Sequence, residues 1–376
     1  MRLHWIDTLK GIGIMLVVLG HHSLPTALDT YIFSFHMPLF FFISGFIFDF
    51  GKYSKSGANF VKGKFRSLII PYFFFALLTC LFYCLLDAAY QPIVTNIEFC
   101  GANALYRIYS ILYALGPLIS YNPPLWFLPC LFVTELLFYG FAKKYYTEPR
   151  KLVFCLIAIG IIGYLYAMYV PFRLLWNADV ALTAVVFYGA GNLFKKFTES
   201  GINSEANSIL ESDLKFGKAF FRCNSIFTGI FILLNFLYLR YLLEFSKTDI
   251  MSMNTLKYGS FLSFYLLAFS GTFAFVFSFK KIGSSKILEF YGRNSIIVLA
   301  LHFPLKDILT KLAVLTFGLD VQHFYYNAPF ALILTGLNLL LMVPIIYVIN
   351  NYFPFLLGKK RFSAGVGDLR TLFTKL

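Results

Sequence analysis

The sequence predicts an all-α fold: a polytopic bundle of about ten transmembrane helices. The first observation is composition, because 59% of the 376 residues are hydrophobic, 20% are aromatic and only 13% are charged. Soluble domains carry about 25% charged residues. The second is that apolar residues lie in runs of about 20, the length of a helix that crosses the hydrocarbon core. The third is that basic residues form short clusters between those runs.

The apolar runs give the helices in chain order. The predicted spans are 7–24, 29–50, 67–89, 125–143, 152–170, 179–196, 225–245, 258–280, 287–306 and 328–350. A basic cluster follows every second span, and the positive-inside rule assigns these clusters and both termini to the cytoplasm. We therefore predict a membrane domain over residues 1–350, integral to the cytoplasmic membrane, followed by a basic cytoplasmic tail over residues 351–376.

The net charge of +14 could indicate a nucleic-acid partner, but its distribution between apolar runs is typical of cytoplasmic loops. We expect no nucleic-acid partner; the lipid bilayer is the expected surrounding, and a homo-oligomer remains possible. The cysteines show no paired metal-ligand spacing, so the sequence predicts no metal site.

Ionisable side chains inside membrane spans are the first candidates for function, because their burial in lipid is costly. The first span carries Asp7, Lys10, His21 and His22. Lys10 and His21 are eleven residues apart, about three helical turns or roughly 16 Å of rise, so both lie on one face of the helix. Asp7 could equally be a simple ion-pair partner of Lys10.

Other spans contribute further polar candidates. These are His36, Trp126, Glu135, Asn294 and His302. On the predicted topology His21, His22, His36, Trp126 and His302 lie in the outer half of the membrane. Three helices therefore bring imidazoles to a similar depth, as a buried catalytic or ion site would. A single membrane histidine could instead form only a hydrogen bond between helices, and Glu135 could be a structural carboxyl group.

The resemblance of this chain to a known family rests on five segments, which read WIDTLKGIGIMLVVLGHH, FHMPLFFFISGFIF, KFRSLIIPY, PLWFLPCLFVTELLFY and GRNSIIVLALH. They resemble the integral membrane acyltransferase family 3, and most of all its compact fucose 4-O-acetylase type. The matches follow the expected order from residue 5 to residue 302. The resemblance implies that cytoplasmic acyl-CoA, usually acetyl-CoA, donates its acyl group to a sugar hydroxyl on the outer side. Acyl-CoA would be a co-substrate, and no tightly bound cofactor is implied.

The resemblance also implies roles for single residues. Lys10 and His21 match the family's basic residue and histidine in the first helix, and His21 would be the catalytic histidine. Lys64 and Arg66 match the basic pair that is assigned to the CoA phosphates, although Lys-x-Arg replaces two arginines here. Trp126 matches the tryptophan at the mouth of the fourth helix.

The chemistry agrees with these roles, since an alcohol is a poor nucleophile at neutral pH and His21 could accept its proton as a general base. A buried carboxylate, Asp7 or Glu135, could orient the imidazole and stabilise the imidazolium. Lys10 could meet the CoA moiety as it enters the membrane.

The remaining candidates would serve the acceptor and the developing charge. His36, Asn294 or His302 could donate a hydrogen bond to the oxyanion, and the sequence does not rank them. His22 and Trp126, with Asn294 and His302, are the predicted substrate-binding residues.

A secondary transporter or flippase is the alternative, because it also uses ionisable groups at membrane depth and about ten helices. The lack of a detectable internal repeat and the position of the imidazoles in the outer half argue against it. A non-catalytic sensor is a third interpretation. The acceptor stays open among surface polysaccharide, lipid-linked glycan, peptidoglycan and a small secreted metabolite.

Overall fold

The computed structural model describes residues 3–22, 24–89, 104–200, 224–244, 251–318 and 327–359. Within them the regular structure is helical, and the only extended pairing is a single bridge between Ser252 and Lys257. The α-helices are α1 (His4–Gly20), α2 (Thr26–Ile47), α3 (Phe50–Tyr53), α4 (Gly57–Lys64), α5 (Ile70–Ala89), α6 (Ala104–Tyr113), α7 (Phe127–Tyr145), α8 (Pro149–Tyr169), α9 (Ala178–Ser200), α10 (Asn224–Glu244), α11 (Phe261–Ile282), α12 (Lys286–Arg293), α13 (Ser295–Phe317) and α14 (Ala328–Tyr352).

The predicted all-α class is confirmed, and the protein is a multi-pass membrane protein. Seven helical segments of the described chain are long and apolar enough to cross a bilayer: α2, the continuous α4–α5 segment, α7, α8, α10, α11 and α14. The predicted spans 7–24 and 179–196 correspond to α1 and α9, and the span 287–306 corresponds to α12 and the first part of α13. These helices are not among the seven that are long and apolar enough to cross a bilayer. The count of about ten spans and the orientation of the termini therefore stay predictions, and residues 360–376 of the predicted tail lie outside the described residues.

Helix α2 lies at the centre of the bundle, where it packs against α1, α9 and α11. Two glycines allow its close approach to α9. A Cβ atom on Gly45 would lie 1.8 Å from the Tyr188 carbonyl oxygen, and one on Gly191 would lie 1.9 Å from the Phe42 carbonyl oxygen. Any larger residue would force the two backbones apart, as at other closely packed membrane helices.

Two predicted spans differ in detail from the observed helices. The helix that corresponds to the span 67–89 begins earlier than predicted, because α4 continues through a π-helical turn, Phe65–Ile69, into α5. Pro71 follows this turn and lacks the N–H group of a regular helical hydrogen bond, which favours a wider turn before it. The span 287–306 is two helices, because Asn294 leaves the helical conformation and its side chain bonds to the Phe290 carbonyl oxygen.

The bundle has two ends, named here after their polar residues. At the histidine end α1 ends, α2 begins and the chain carries His21 and His22. At the opposite lysine end α2 ends and α4 brings Lys64 to the bundle. These ends give the reference for the position of each polar side chain.

Candidate active site

A cavity lies between the helices at the histidine end and has a volume of about 60 Å³. It is lined by His21 at the end of α1, by His36 of α2 and by Trp126 directly before α7. The polar turn 252–254 and apolar side chains from α1, α2 and α13 complete its wall. The cavity thus joins three residues that the sequence predicts to be functional, from three separate parts of the chain.

His21 is held by aromatic rings. Its imidazole stacks on that of His302, with 5.2 Å between the ring centroids and 29° between the planes. Phe33 of α2 and Phe303 of α13 pack against it edge-on, at centroid distances of 6.0 and 5.6 Å. No hydrogen bond from His21 to a carboxylate is found among the described residues, so ring packing is what fixes this imidazole.

His36 and His302 are each anchored by a hydrogen bond to a backbone carbonyl oxygen of their own helix. The Nδ1 atom of His36 lies 2.7 Å from the Ile32 carbonyl oxygen, and that of His302 lies 2.8 Å from the Val298 carbonyl oxygen. A carbonyl oxygen only accepts, so Nδ1 carries the hydrogen and the neutral ring has a lone pair on Nε2. In this tautomer each ring can accept a hydrogen bond from a hydroxyl group, whereas donation to an oxyanion, as expected from the sequence, would require a second proton.

Two buried asparagines support the site, and the sequence analysis missed both. Asn338 of α14 donates to the His302 carbonyl oxygen at 2.9 Å and lies 3.5 Å from Nε2 of His22. His22 therefore contacts α14 rather than lining the cavity. Asn122 donates to the Ala300 carbonyl oxygen at 2.8 Å, which joins the segment before Trp126 to α13.

Glu135, one of the two predicted carboxylate partners of His21, has other contacts. Its Oε1 accepts a hydrogen bond from Nζ of Lys64 at 2.7 Å and one from the Tyr188 hydroxyl at 3.4 Å. The carboxyl group is almost completely buried. Arg66, the second member of the predicted basic pair, has an exposed side chain at the same end. Lys64 and Glu135 thus form a partly buried ion pair between the end of α4 and α7.

Asp7, the other predicted carboxylate partner, lies near the lysine end of α1. It accepts a hydrogen bond from Nε of Arg293 at 3.4 Å, and Arg293 also pairs with Glu289. Lys10 lies one turn further along α1 and is half-buried. The contacts described for Asp7 therefore join α1 to α12.

Asn294 also belongs to the lysine end. Its Oδ1 accepts a hydrogen bond from the Asn350 side chain at 2.7 Å. It precedes His302 by eight residues, which is roughly 12 Å along a helix. Asn294 was predicted to bind the acceptor or to donate to the oxyanion, and the structure places it away from the cavity that contains His21.

The predicted site residues thus divide into two groups. His21, His36, His302 and Trp126 come together at the histidine end, with His22 beside them. The residues nearer the lysine end are Asp7, Lys10, Lys64, Arg66, Glu135 and Asn294. No cluster of three metal-ligating side chains occurs within the described residues.

Comparison with known proteins agrees with this architecture. The model of an acyltransferase domain, that of acyltransferase family 3, matches residues 3–350, almost the whole chain. No curated protein and no solved structure matches this chain. The match includes both the cavity and the ion pair, and the family predicted from the five segments is confirmed: this chain belongs to the integral membrane acyltransferase family 3.

Proposed function

We propose that the protein transfers an acyl group, by resemblance acetyl, from cytoplasmic acyl-CoA to a hydroxyl of an extracytoplasmic glycan or glycolipid sugar. His21 is the general base in this proposal. The observation that carries it is the cavity in which His21, His36 and Trp126 meet. A base, a second polar ring and a broad aromatic surface are the groups that a sugar hydroxyl needs in order to bind and react.

The reaction proceeds by direct transfer. A hydroxyl in the cavity gives its proton to a ring nitrogen of His21 while its oxygen attacks the thioester carbonyl carbon. The new C–O bond forms a tetrahedral intermediate with a negative oxygen. The C–S bond then breaks, the CoA sulfur takes the proton from the imidazolium, and an ester and free CoA leave. General-base assistance of this kind contributes about 100-fold or more to the rate.

His36 orients the acceptor. Its Nδ1–H donates a hydrogen bond to the Ile32 carbonyl oxygen, and the His36 side chain lines the cavity. The Nε2 lone pair is therefore the group that can receive a hydrogen bond from a sugar hydroxyl. Trp126 supplies a flat surface against which the apolar face of a sugar ring can pack.

The donor enters from the lysine end, which the positive-inside rule assigns to the cytoplasm. Arg66 is exposed there, so it is our first choice for a contact with the CoA phosphates. Lys64 forms an ion pair with Glu135 and contributes to the shape of the same entrance. Lys10 lies between this entrance and His21, so the thioester arm would extend along α1.

Inside-out membrane vesicles test the proposal. Vesicles that contain the protein and the host's surface glycan are supplied with radiolabelled acetyl-CoA, and label in the glycan is measured. We expect labelling by the wild type and a loss of at least about 100-fold in His21→Ala, with equal amounts of protein in the membrane. The control is His4→Ala, which removes an exposed histidine at the opposite end.

Each other result has a definite meaning. Full labelling by His21→Ala would remove the role given to His21. Label that crosses into the vesicle without being attached to glycan would support the transporter or flippase alternative instead.

A further inference from the structure

A short turn at the histidine end, Ser252–Lys257, contributes to the cavity. Ser252 and Lys257 pair through two backbone hydrogen bonds of 2.9 and 3.0 Å. Leu256 closes the turn in a left-handed conformation with a φ of 58°. The first half of the turn, up to Asn254, lines the same cavity as His21. The sequence analysis did not select this segment, because it lies between two spans and has no ionisable group except Lys257.

Asn254 is the polar side chain of this turn with unmet hydrogen-bonding capacity. Its Oδ1 atom is buried and has no hydrogen-bond partner within the described residues. The carboxamide packs against Gly116, where a Cβ atom would lie 2.2 Å from Nδ2. Buried amide oxygens are normally hydrogen-bonded, so Oδ1 can accept a hydrogen bond from a ligand hydroxyl group.

Arg173 fixes the backbone of Asn254. Its Nη1 donates to the Asn254 carbonyl oxygen at 2.9 Å, and its Nε donates to Oδ2 of Asp179 at 2.6 Å. Asp179 is completely buried and also accepts hydrogen bonds from the backbone N–H groups of Leu174 and Val180. The turn is thereby attached to the beginning of α9 through the ion pair between Arg173 and Asp179.

The same network reaches Trp126. Nη2 of Arg173 donates to Oδ1 of Asn177 at 3.2 Å. The Asn177 amide in turn donates to the carbonyl oxygens of Ala114, at 2.8 Å, and Trp126, at 3.5 Å. One network therefore sets the position of two parts of the cavity wall, the turn and the tryptophan, neither of which lies inside a long helix.

We propose that Asn254 binds the acceptor by a hydrogen bond to a sugar hydroxyl adjacent to the reacting one, and that Arg173 and Asp179 are the positioning residues that hold it there. This inference rests on the proposed function. A sugar hydroxyl both donates and accepts, so either end of the carboxamide can bind it. A site that hydrogen-bonds a hydroxyl discriminates against an acceptor that lacks it, which makes Asn254 a specificity-determining residue.

The test measures the use of the acceptor and the use of the acyl donor separately. The rate of CoA release is measured on membranes, first with varied amounts of the glycolipid and polysaccharide extract of the producing cells, then with varied acetyl-CoA. For Asn254→Ala we expect the half-saturating amount of extract to rise by about tenfold, the value of one good hydrogen bond, with half-saturating acetyl-CoA unchanged. Gly116→Ala should shift the extract curve in the same direction, because its methyl group displaces the carboxamide.

Two further variants separate binding from structure. Thr255→Ala, an exposed neighbour in the same turn, should leave both half-saturation values unchanged. Arg173→Lys keeps the charge but loses the planar fork, and it should raise the half-saturating amount of extract without affecting that of acetyl-CoA. The melting temperature of each variant in detergent is measured in parallel.

Three results would overturn the inference. If the wild type releases CoA and Asn254→Ala has the same extract curve, Asn254 does not bind the acceptor and the proposed function still stands. If both half-saturation values rise together with a lower melting temperature, its role is only structural. If the wild type releases no CoA with this extract, the proposed function itself fails, and the inference fails with it.

Discussion

At the scale of single residues, His302 offers a test of how His21 is oriented. The two rings stack, and Nδ1 of His302 is fixed by the Val298 carbonyl oxygen. His302→Ala removes this surface and leaves His21, the proposed base, in place. We expect kcat to fall about 10- to 100-fold, less than a loss of the general base would cost. Radiolabelled acetyl transfer measures this, and a wild-type kcat would show that the stacking does not orient His21.

Lys64 and Arg66 are neighbours in sequence but should respond differently to substitution. Lys64→Gln leaves the buried Glu135 carboxylate without its cation, which should cost on the order of 3 kcal/mol of stability. The measurement is the melting temperature in detergent, and Lys64→Gln combined with Glu135→Gln should recover part of the loss. Equal melting temperatures for the wild type and Lys64→Gln would contradict this.

Arg66→Gln should weaken the binding of the acyl donor, acyl-CoA, and leave the stability of the protein unchanged. The side chain is exposed, so its replacement should leave the melting temperature unchanged. If it binds the CoA phosphates, the KM for acyl-CoA should rise about tenfold or more, as expected for the loss of a charge-assisted hydrogen bond. Steady-state kinetics with varied acetyl-CoA tests this, and an unchanged KM would make Arg66 a topology marker only.

The sequence could predict individual residues of the site, but not their pairing. His21, His36 and His302 were found because an ionisable group inside an apolar span is costly. Asn338 is polar but not ionisable, so the sequence analysis did not select it although it lies inside the span 328–350. The Lys64–Glu135 contact joins residues 71 positions apart, and nothing in the local pattern of either residue indicates its partner.

At the scale of helices, the contact between α2 and α9 depends on glycine. Gly191→Ala would place a methyl group 1.9 Å from the Phe42 carbonyl oxygen, so the helices must separate. We expect a loss on the order of 2 kcal/mol, as for other overpacked interiors, seen as a lower melting temperature. The matched control is Gly336→Ala in α14, where a Cβ atom meets nothing within 4 Å and a small gain from helix propensity is expected. Equal effects of the two substitutions would contradict the close contact.

Hydropathy identified most of the helices, and it failed where the helical conformation changes. The π-helical turn before Pro71 and the break at Asn294 change the backbone conformation without altering the apolar pattern. The turn 252–257 is invisible to the same approach, because its position is set by Arg173 and Asp179, which belong to a different part of the chain. Such contacts between distant segments are tertiary, and no window of sequence contains them.

At the scale of the whole molecule, the proposed function requires a definite orientation. The cavity lies at the histidine end, and the basic residues of the loop between α7 and α8 lie at the lysine end. The positive-inside rule predicts that the lysine end faces the cytoplasm. Alkaline phosphatase, which is active only outside the cytoplasm, should therefore be active when fused after Thr255 and inactive when fused after Lys144.

Fusions of green fluorescent protein at the same two positions are the control, because this reporter is fluorescent in the cytoplasm and should give the opposite pattern. Agreement of both reporters would place the cavity on the outer side, so an acyl group from cytoplasmic acyl-CoA would have to pass along the bundle to reach His21. The reverse result would place His21 beside the cytoplasm. Donor and acceptor would then meet on one side of the membrane, and transfer across the bilayer would have to be abandoned even if acyl transfer itself were observed.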